Sequence, residues 1–239
     1  MEQNLKLLQQ WVDESRSIVF FGGAGVSTES GIPDFRSVDG LYHQQYDDPP
    51  ETILSRTYFD AFPEKFYQFY RAKMLCLDAK PNAAHRKLAQ WEQEGRLRSV
   101  VTQNIDGLHQ AAGSRRVWEL HGSVLRNYCM SCHASYSAQD ILDSTGPVPR
   151  CACGGIIKPD VVLYEESLDS QVLQGAVSDI RQADMLIIGG TSLAVYPAAG
   201  LIHYFPGKRL VLINKTPTPC DQEAALVLHG AIGEIFGRL

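Results

Sequence analysis

Apolar residues recur along the chain at two spacings, which predict alternating helices and strands. Leu5, Leu8 and Val12 fall on one face of residues 4–13, as in an amphipathic helix. Short apolar runs typical of buried strands lie at 18–21, 99–102, 185–188, 210–213 and 226–228. Helix-like segments, among them 82–94 and 170–182, separate these runs. The alternation predicts an α/β fold with a parallel sheet covered by helices on both faces.

Two segments interrupt this alternation, and we expect them to form a second, smaller lobe. Residues 38–80 contain no clear buried strand, and residues 128–156 hold four of the six cysteines in the chain. Within the first segment, a stripe of aromatic residues is spaced as one helix face, for which core packing is the expected role: Phe59, Phe62, Phe66, Phe69 and Tyr70.

The overall charge argues against some classes of partner. The 239 residues carry a formal net charge of −5, so we expect no unaided binding to nucleic acid or to an anionic membrane. The first residues lack the basic start and continuous apolar run of a signal peptide, and no later segment is long enough to span a bilayer. We therefore expect a cytoplasmic protein.

The spacing of the four cysteines predicts a structural zinc site. Cys129 and Cys132 form a C-x-x-C pair, and Cys151 and Cys153 form a C-x-C pair after an eighteen-residue gap. A reducing cytosol favours metal ligation over disulfides, and four thiolates complete a zinc tetrahedron without a position for water. A redox pair and a fortuitous cluster are the alternatives. The zinc ion would stabilise a module too short to build its own core.

A glycine-rich turn follows the first predicted strand. Gly23-Ala24-Gly25 begins the G-x-G-x-x-G dinucleotide pattern, but Thr28 occupies the third glycine position. Glycines at such a turn let backbone N–H groups approach a phosphate, and we expect a helix to follow. No acidic residue ends an obvious second strand about twenty residues on, so hydride transfer is not supported. A tight turn without a ligand is the alternative.

Further polar residues follow other predicted strands. Because ligands of open parallel sheets bind beyond the carboxyl ends of the strands, these clusters predict one shared crevice. His121 follows a predicted strand immediately before the cysteine segment, which suggests a general base, although lone histidines are more often structural. The other members are Gln103, Asn104, Asp106 and His109 after one strand, and Thr191 and Ser192 after another.

Together, these motifs resemble those of the sirtuins, in the same order and over nearly the whole chain. They are GAGVSTESGIPDFR (23–36), TQNIDGLH (102–109), LHG (120–122), the four cysteines, GTSL (190–193) and Asn214. The resemblance to bacterial, single-domain members implies a Rossmann-like NAD-binding domain over 1–37, 81–127 and 157–239. It also implies a small lobe over 38–80 and 128–156, made of a helical insert and a four-cysteine zinc module.

The resemblance implies an NAD-dependent protein-lysine deacetylase that transfers the acetyl group of acetyl-lysine to ADP-ribose and releases nicotinamide. His121 would be the general base and would also contact NAD. The other NAD contacts implied are Gly23, Ala24, Gly25, Thr28, Asp34, Phe35, Arg36, Gln103, Asn104, Ile105, Asp106, Gly190, Thr191, Ser192, Asn214 and Ile232. The partners implied are proteins or peptides that carry acetyl-lysine. A deacylase for another acyl group, an ADP-ribosyltransferase and a non-catalytic NAD-binding module are the alternatives.

Sirtuins hold an extended peptide between two segments that match 158–166 and 194–196 here. By this resemblance Val162, Leu163 and Val195 would line the acyl-lysine tunnel. Glu165 stands where the family commonly has glycine, and its carboxylate would either attract basic substrates or be a solvated surface acid. Tyr70 and Lys73 match the Tyr-x-x-Arg pair of desuccinylases, but lysine lacks the planar fork of arginine. Acetyl is therefore the expected acyl group.

Overall fold

The computed structural model describes residues 2–35 and 48–239. In these ranges the strands are β1 (Ile18–Gly22), β2 (Leu97–Thr102), β3 (Val117–Glu119), β4 (Gly122–Cys129), β5 (Ser135–Ser137), β6 (Ile157–Val161), β7 (Met185–Gly189), β8 (Arg209–Asn214) and β9 (Leu226–His229). The helices are α1 (Glu2–Glu14), α2 (Pro50–Ile53), α3 (Arg56–Ala61), α4 (Pro63–Lys73), α5 (Ala83–Gln93), α6 (Leu108–Ala111), α7 (Ala138–Asp143), α8 (Ser170–Arg181) and α9 (Ile232–Phe236).

The larger sheet has six parallel strands in the order β3-β2-β1-β7-β8-β9. All residues of the central strands β1 and β7 are buried, as expected for a sheet covered on both faces. α1, α5 and α9 pack on one face, whereas α8 and a 3-10 helix at Ala198–Tyr204 pack on the other. The predicted α/β fold, its strands and the helix over 4–13 are confirmed.

The smaller part of the protein joins three helices to an antiparallel sheet. α2, α3 and α4 share a hydrophobic core with the three-stranded sheet β5-β4-β6. This sheet includes residues 122–127 and 157–161, which lie outside the predicted range 128–156. The core therefore connects the helical insert to the cysteine segment, as expected for one small lobe.

The aromatic stripe does not lie on a single helix. Pro63 begins a new helix because proline fits the first turn but breaks a helix interior, so the stripe is split between α3 and α4. Phe59, Phe66, Phe69 and Tyr70 are buried as predicted. The prediction is wrong for Phe62, which lies at the junction and is 54% exposed.

The segment after β1 also differs from the prediction. Two 3-10 helices, Ala24–Val26 and Thr28–Ser30, stand where a regular helix was expected. Backbone groups here are bonded outside the segment. The Gly25 N–H donates to the Gly190 carbonyl (2.8 Å), and the Val26 carbonyl accepts from the Asn82 side chain (2.7 Å). Within the segment, i→i−3 bonds such as Ser27 N–H to Ala24 carbonyl take the place of the α-helical ladder. Among the helices of residues 2–35 and 48–239, none combines the length and the apolar character that a bilayer span requires.

Candidate active site and metal centre

The carboxyl ends of the central parallel strands open into one large cleft. Its cavity has a volume of about 650 Å³, within the range of small-molecule sites. Of the predicted NAD contacts, only Arg36 lies outside the described residues. All the others line the cavity: Gly23, Ala24, Gly25, Thr28, Asp34, Phe35, Gln103, Asn104, Ile105, Asp106, His121, Gly190, Thr191, Ser192, Asn214 and Ile232.

The glycine-rich turn packs directly against the end of β7. A Cβ on Gly25 would lie 2.8 Å from the Gly190 oxygen, and one on Gly23 would lie 2.8 Å from Cβ of Thr191. Gly190 itself has a φ of +59°, which favours glycine. The glycines are therefore required for this close approach of two loops, whose backbone forms one wall of the cleft.

A buried hydrogen-bond network fixes the loop after β2. The Ser27 hydroxyl donates to Asp106 (2.6 Å) and accepts from the Asn104 amide (3.1 Å). The other carboxylate oxygen of Asp106 accepts from the Leu108 N–H (2.9 Å), at the start of α6. Ser27 was missed by the sequence analysis, and its position two residues after Gly25 was the one available signal. The network fixes the orientation of the Asp106 carboxylate in the cleft wall.

His121 lies between the loop after β2 and the loop after β6. Its Nδ1 lies 2.9 Å from the Gln103 carbonyl oxygen, and its own carbonyl accepts from the Val162 N–H (3.0 Å). Because a carbonyl only accepts, Nδ1 carries the proton and Nε2 keeps a lone pair. Burial lowers the pKa of His121, although the bond to Gln103 opposes this shift. The imidazole is therefore neutral at pH 7 and able to accept a proton.

Three residues in or near the cleft have surroundings that the sequence did not indicate. His109, grouped with the polar cluster after β2, is buried and stacks edge-on against His85, with ring centroids 4.8 Å apart. Cys76 is in the cleft wall, and burial raises the pKa of its thiol. Gln103 donates to Thr191 (3.1 Å) and so links the ends of β2 and β7.

The predicted substrate contacts are split by the structure. Val162, Leu163, Val195 and Lys73 line the cavity. Tyr70 is not among the described residues that line it. Its side chain is buried in the core of the small lobe, stacked on Phe66 with ring centroids 5.5 Å apart. The expectation that Tyr70 faces the acyl group is therefore not met, because the aromatic core of α4 takes up its ring.

The substituted position Glu165 also lies in the cavity wall. Its φ of +75° is in the left-handed region, where glycine is favoured. The carboxylate accepts from the backbone N–H of Thr57 (2.9 Å) and from the Thr57 hydroxyl (2.7 Å). These two bonds lower the pKa of Glu165. One oxygen of the carboxylate is therefore bound to Thr57, while the side chain as a whole remains exposed.

The four cysteine sulfurs form a compact cluster. The sulfurs of Cys129, Cys132, Cys151 and Cys153 all lie within 4.8 Å of one another. The Cys129–Cys153 and Cys132–Cys151 sulfur separations are 3.4 and 3.5 Å. A zinc ion with bonds of about 2.3 Å places tetrahedral sulfurs about 3.8 Å apart, so the cluster fits zinc with little adjustment.

The glycines after the second cysteine pair shape this cluster in two ways. Gly154 has a φ of +87°, in the left-handed region that favours glycine. Gly155 does not need a positive φ. A Cβ there would lie 2.8 Å from the Cys129 sulfur and 2.5 Å from the Ser131 hydroxyl oxygen. The C-x-C spacing is therefore compatible with a four-thiolate site because glycine leaves room beside the ligands.

Comparisons with known proteins agree with this geometry. The model of the Sir2 family matches residues 23–197. An NAD-dependent protein deacetylase of Clostridium perfringens is 56% identical over 243 residues and covers 100% of this chain and 99% of its own. A solved structure of Sir2 with a p53 peptide and NAD has a TM-score of 0.88 at 39% identity, covering 98% of this chain and 96% of its own. A structure of Sir2 bound to an acetylated peptide has the same TM-score and coverage at 38% identity.

Proposed function

The chain belongs to the Sir2 family and is an NAD-dependent protein deacetylase, and we propose that His121 is the general base of its reaction. The observation that carries this proposal is the position of the ring. His121 is hydrogen-bonded to Gln103 on the cofactor side and to Val162 on the substrate side. A neutral imidazole at that junction is suited to take a proton from a ribose hydroxyl.

NAD supplies an ADP-ribose acceptor for the acetyl group, with nicotinamide as the leaving group. The Gln103 carbonyl keeps the His121 proton on Nδ1, so Nε2 is unprotonated and can accept a proton. Burial keeps the pKa of His121 below its usual value, which prevents protonation at neutral pH. The base therefore needs no carboxylate partner, and its orientation comes from backbone groups.

The residues around Asp106 position the nicotinamide half of the cofactor. Asn104 and Ser27 fix the Asp106 carboxylate, which would hold the carboxamide in one orientation. Ile105 and Phe35 supply apolar walls that exclude water, and this exclusion limits wasteful hydrolysis of NAD. Asp34 would complete this pocket. Arg36, which lies outside the described residues, would contact the phosphates and the nicotinamide ribose.

Loops at the other strand ends bind the rest of the cofactor. The glycine-rich turn, together with Thr28, would lie against the phosphates. The Gly23 and Gly25 N–H groups already donate to Gly189 and Gly190, so the glycines would provide room for the phosphates rather than donors. Gln103 would hold the nicotinamide ribose. The adenosine half would contact Gly190, Thr191, Ser192, Asn214 and Ile232.

The acyl-lysine side chain enters between the two lobes. Val162, Leu163 and Val195 would form the tunnel, and Lys73 lies in the same cavity. Lysine offers a point charge without a bidentate fork, so desuccinylation should be weaker than deacetylation. Tyr70 is left out of the acyl site because its ring is buried in the small lobe.

The remaining features support a two-lobe enzyme. We propose an NAD-binding domain over 1–37, 81–127 and 157–239 and a small lobe over 38–80 and 128–156, with the sheet strands β4 and β6 extending from the small lobe across these boundaries. One structural zinc ion, held by Cys129, Cys132, Cys151 and Cys153, would stabilise this lobe. A cytoplasmic location is part of the proposal.

The test of His121 is a comparison of chemistry with binding. His121→Ala should lower NAD-dependent deacetylation of an acetyl-lysine peptide by about 10²- to 10⁴-fold, the usual contribution of general base catalysis. Because His121 would also contact NAD, the affinity for NAD, measured by calorimetry, should fall far less than the rate, and the far-UV circular dichroism spectrum should stay unchanged. Mass spectrometry of acetyl-, succinyl- and longer acyl-peptides incubated with NAD would establish the acyl preference.

The alternatives predict different products. An ADP-ribosyltransferase would incorporate labelled NAD into protein without forming deacetylated lysine. A non-catalytic module would release no nicotinamide, and His121→Ala would leave its binding of NAD and target unchanged. Retention of more than a tenth of the deacetylation rate by His121→Ala would contradict its role as the base.

A further inference from the structure

The loop at 162–166 is attached to the rest of the protein at both ends. At its start, the Val162 N–H donates to the carbonyl of His121 (3.0 Å). Further along, the Tyr164 N–H donates to the Leu54 carbonyl and the Tyr164 carbonyl accepts from the Arg56 N–H, both at 3.0 Å. A segment of the helical insert is thus bonded to a loop that begins beside the proposed base.

Two consecutive carboxylates strengthen this attachment. Glu166 accepts from Lys158 (3.1 Å), from the Leu163 N–H (2.8 Å) and from Arg56 (3.2 Å). Glu165 accepts from the N–H and the hydroxyl of Thr57, in the first turn of α3. Sirtuins commonly have glycine at this position, and glycine has no side chain that could form such an anchor.

The side chain and the main chain of Glu165 have opposite roles. The side chain is bonded to Thr57, whereas within the part of the chain that the structure describes neither the N–H nor the C=O of Glu165 has a hydrogen-bond partner. Across the cavity, the N–H and C=O groups of Ala194 and Tyr196 are likewise without partners among the described residues, and Tyr196 is 71% exposed. Unpaired main-chain groups on facing segments are suited to bind an extended peptide as an added strand.

The hydrogen bonds between Glu165 and Thr57 also stabilise the backbone conformation of Glu165. A residue with a side chain resists a φ of +75°, so the conformation persists only if surrounding contacts hold it. The two bonds from Thr57 supply such contacts. They therefore compensate for the absence of glycine and hold the loop in the shape that leaves its main chain unpaired.

We propose that Glu165 is a positioning residue for the peptide substrate, which anchors the 162–166 loop to Thr57 so that its main chain is preorganised to pair with the peptide. The proposal rests on the proposed function only in taking an acetyl-lysine peptide as the occupant of the cleft. Direct recognition of basic residues is the competing role for this carboxylate, because both bonds from Thr57 go to one of its two oxygens.

The first experiment measures steady-state kinetics of three variants of Glu165 with an acetyl-lysine peptide. Glu165→Ala removes the anchor, and alanine, like glutamate, disfavours a positive φ. The peptide KM should therefore rise about five- to tenfold, as for loss of one charge-assisted hydrogen bond. Glu165→Gly also removes the anchor but adopts the conformation freely, so its rise should be smaller. Glu165→Gln retains an acceptor and should have the smallest effect. kcat and the KM for NAD should stay within about twofold, since those contacts are elsewhere.

The matched control is Asp140→Asn. Asp140 accepts from the N–H and hydroxyl of Ser137 at 2.7 Å each, so its geometry resembles that of Glu165 with Thr57, but it is in the zinc module away from the cleft. This variant should leave both KM values unchanged. Thr57→Val removes one of the two donors, and its effect should not add to that of Glu165→Ala, because both disrupt the same contact.

Three results would overturn the proposal. The first is a peptide KM for Glu165→Ala within twofold of that of the unmodified protein. The second is a parallel rise of both KM values, which would indicate general loosening of the fold. The third is an effect of Glu165→Gln limited to peptides with lysine or arginine beside the acetyl-lysine, which would indicate direct charge recognition.

A binding measurement separates this proposal from the proposed function. Fluorescence anisotropy with a labelled acetyl-lysine peptide reports affinity without turnover. If the unmodified protein failed to deacetylate, the proposed function would fail, but weaker peptide binding by Glu165→Ala would still support the anchor. If the protein deacetylated and the variant bound the peptide equally well, the anchor alone would fail.

Discussion

At the scale of single residues, His121 illustrates how backbone contacts can prepare a base. Its Nδ1 faces a carbonyl oxygen, which fixes the tautomer without any acidic side chain. Burial lowers the pKa of the ring, because the charged form loses solvation. The two effects together leave Nε2 available as a proton acceptor over a wide pH range.

This arrangement predicts the acid limb of the pH profile. The neutral ring is the active form, and the lowered pKa keeps the ring neutral at acidities where an ordinary histidine, with a pKa of about 6.5, is half protonated. As pH falls, kcat/KM should therefore decline with a midpoint below about 6.5. Initial rates of deacetylation from pH 5 to 9 at subsaturating substrate provide the measurement. A midpoint above 7 would contradict the role of burial, and His203→Gln, an exposed histidine outside the cavity lining, is the control.

At the scale of elements, one arginine joins the helical insert to the zinc module. Arg71 of α4 donates to the carbonyls of Ile141 (3.1 Å), Gly146 (3.0 Å) and Pro147 (3.3 Å), and to the Ser144 hydroxyl (2.6 Å). Four acceptors on one guanidinium use its planar fork, which an ammonium group cannot reproduce. The loop after α7 is therefore held by α4 as well as by the cysteine cluster.

We expect Arg71→Lys to destabilise the small lobe. Loss of two or three of the four bonds should lower the free energy of unfolding by about 1–3 kcal/mol, because the carbonyls lose partners in a partly buried site. Urea denaturation followed by circular dichroism measures the difference. Lys65→Ala, an exposed change on the same helix, should alter stability by less than about 0.5 kcal/mol. An Arg71→Lys variant as stable as the Lys65→Ala control would show that the four bonds contribute little.

At the scale of the whole molecule, the cleft depends on two cores of different origin. The six-stranded sheet is stabilised by apolar packing on both faces. The small lobe combines an aromatic cluster on α3 and α4 with the cysteine cluster beside β4 and β6. Because the substrate loop follows β6, disturbance of the metal site should reach the cleft through that strand.

Zinc removal tests this connection. A strong chelator should release one zinc ion per chain, detected with a metal-binding dye, and deacetylation should fall at least tenfold because the small lobe loosens. Most helix and strand signal in the far-UV spectrum should remain, since the larger sheet has its own core. Added zinc should restore the activity. Cys153→Ala should lower the zinc content, whereas Cys220→Ser should retain it. Full activity of the metal-free protein would contradict the expected dependence.

Sequence patterns by themselves determined the elements of the larger sheet and the residues of its cleft. Apolar runs identify buried strands because a parallel sheet hides both faces, and glycine and polar residues after those runs mark the strand ends. The cysteine spacing likewise determined the metal cluster, because short local separations limit where the thiolates can lie. The resemblance to the sirtuins supplied the roles of these residues, which periodicity could not.

Only the tertiary structure decided contacts between segments distant in the chain. Ser27 and Asp106 are 79 positions apart, and Thr57 and Glu165 are 108 apart, so no local pattern indicates either pair. The same holds for Tyr70, which the spacing on α4 placed beside Lys73 but which the aromatic core buries instead. Local spacing defines neighbours on one element, whereas packing against other elements decides which side chains face the ligand.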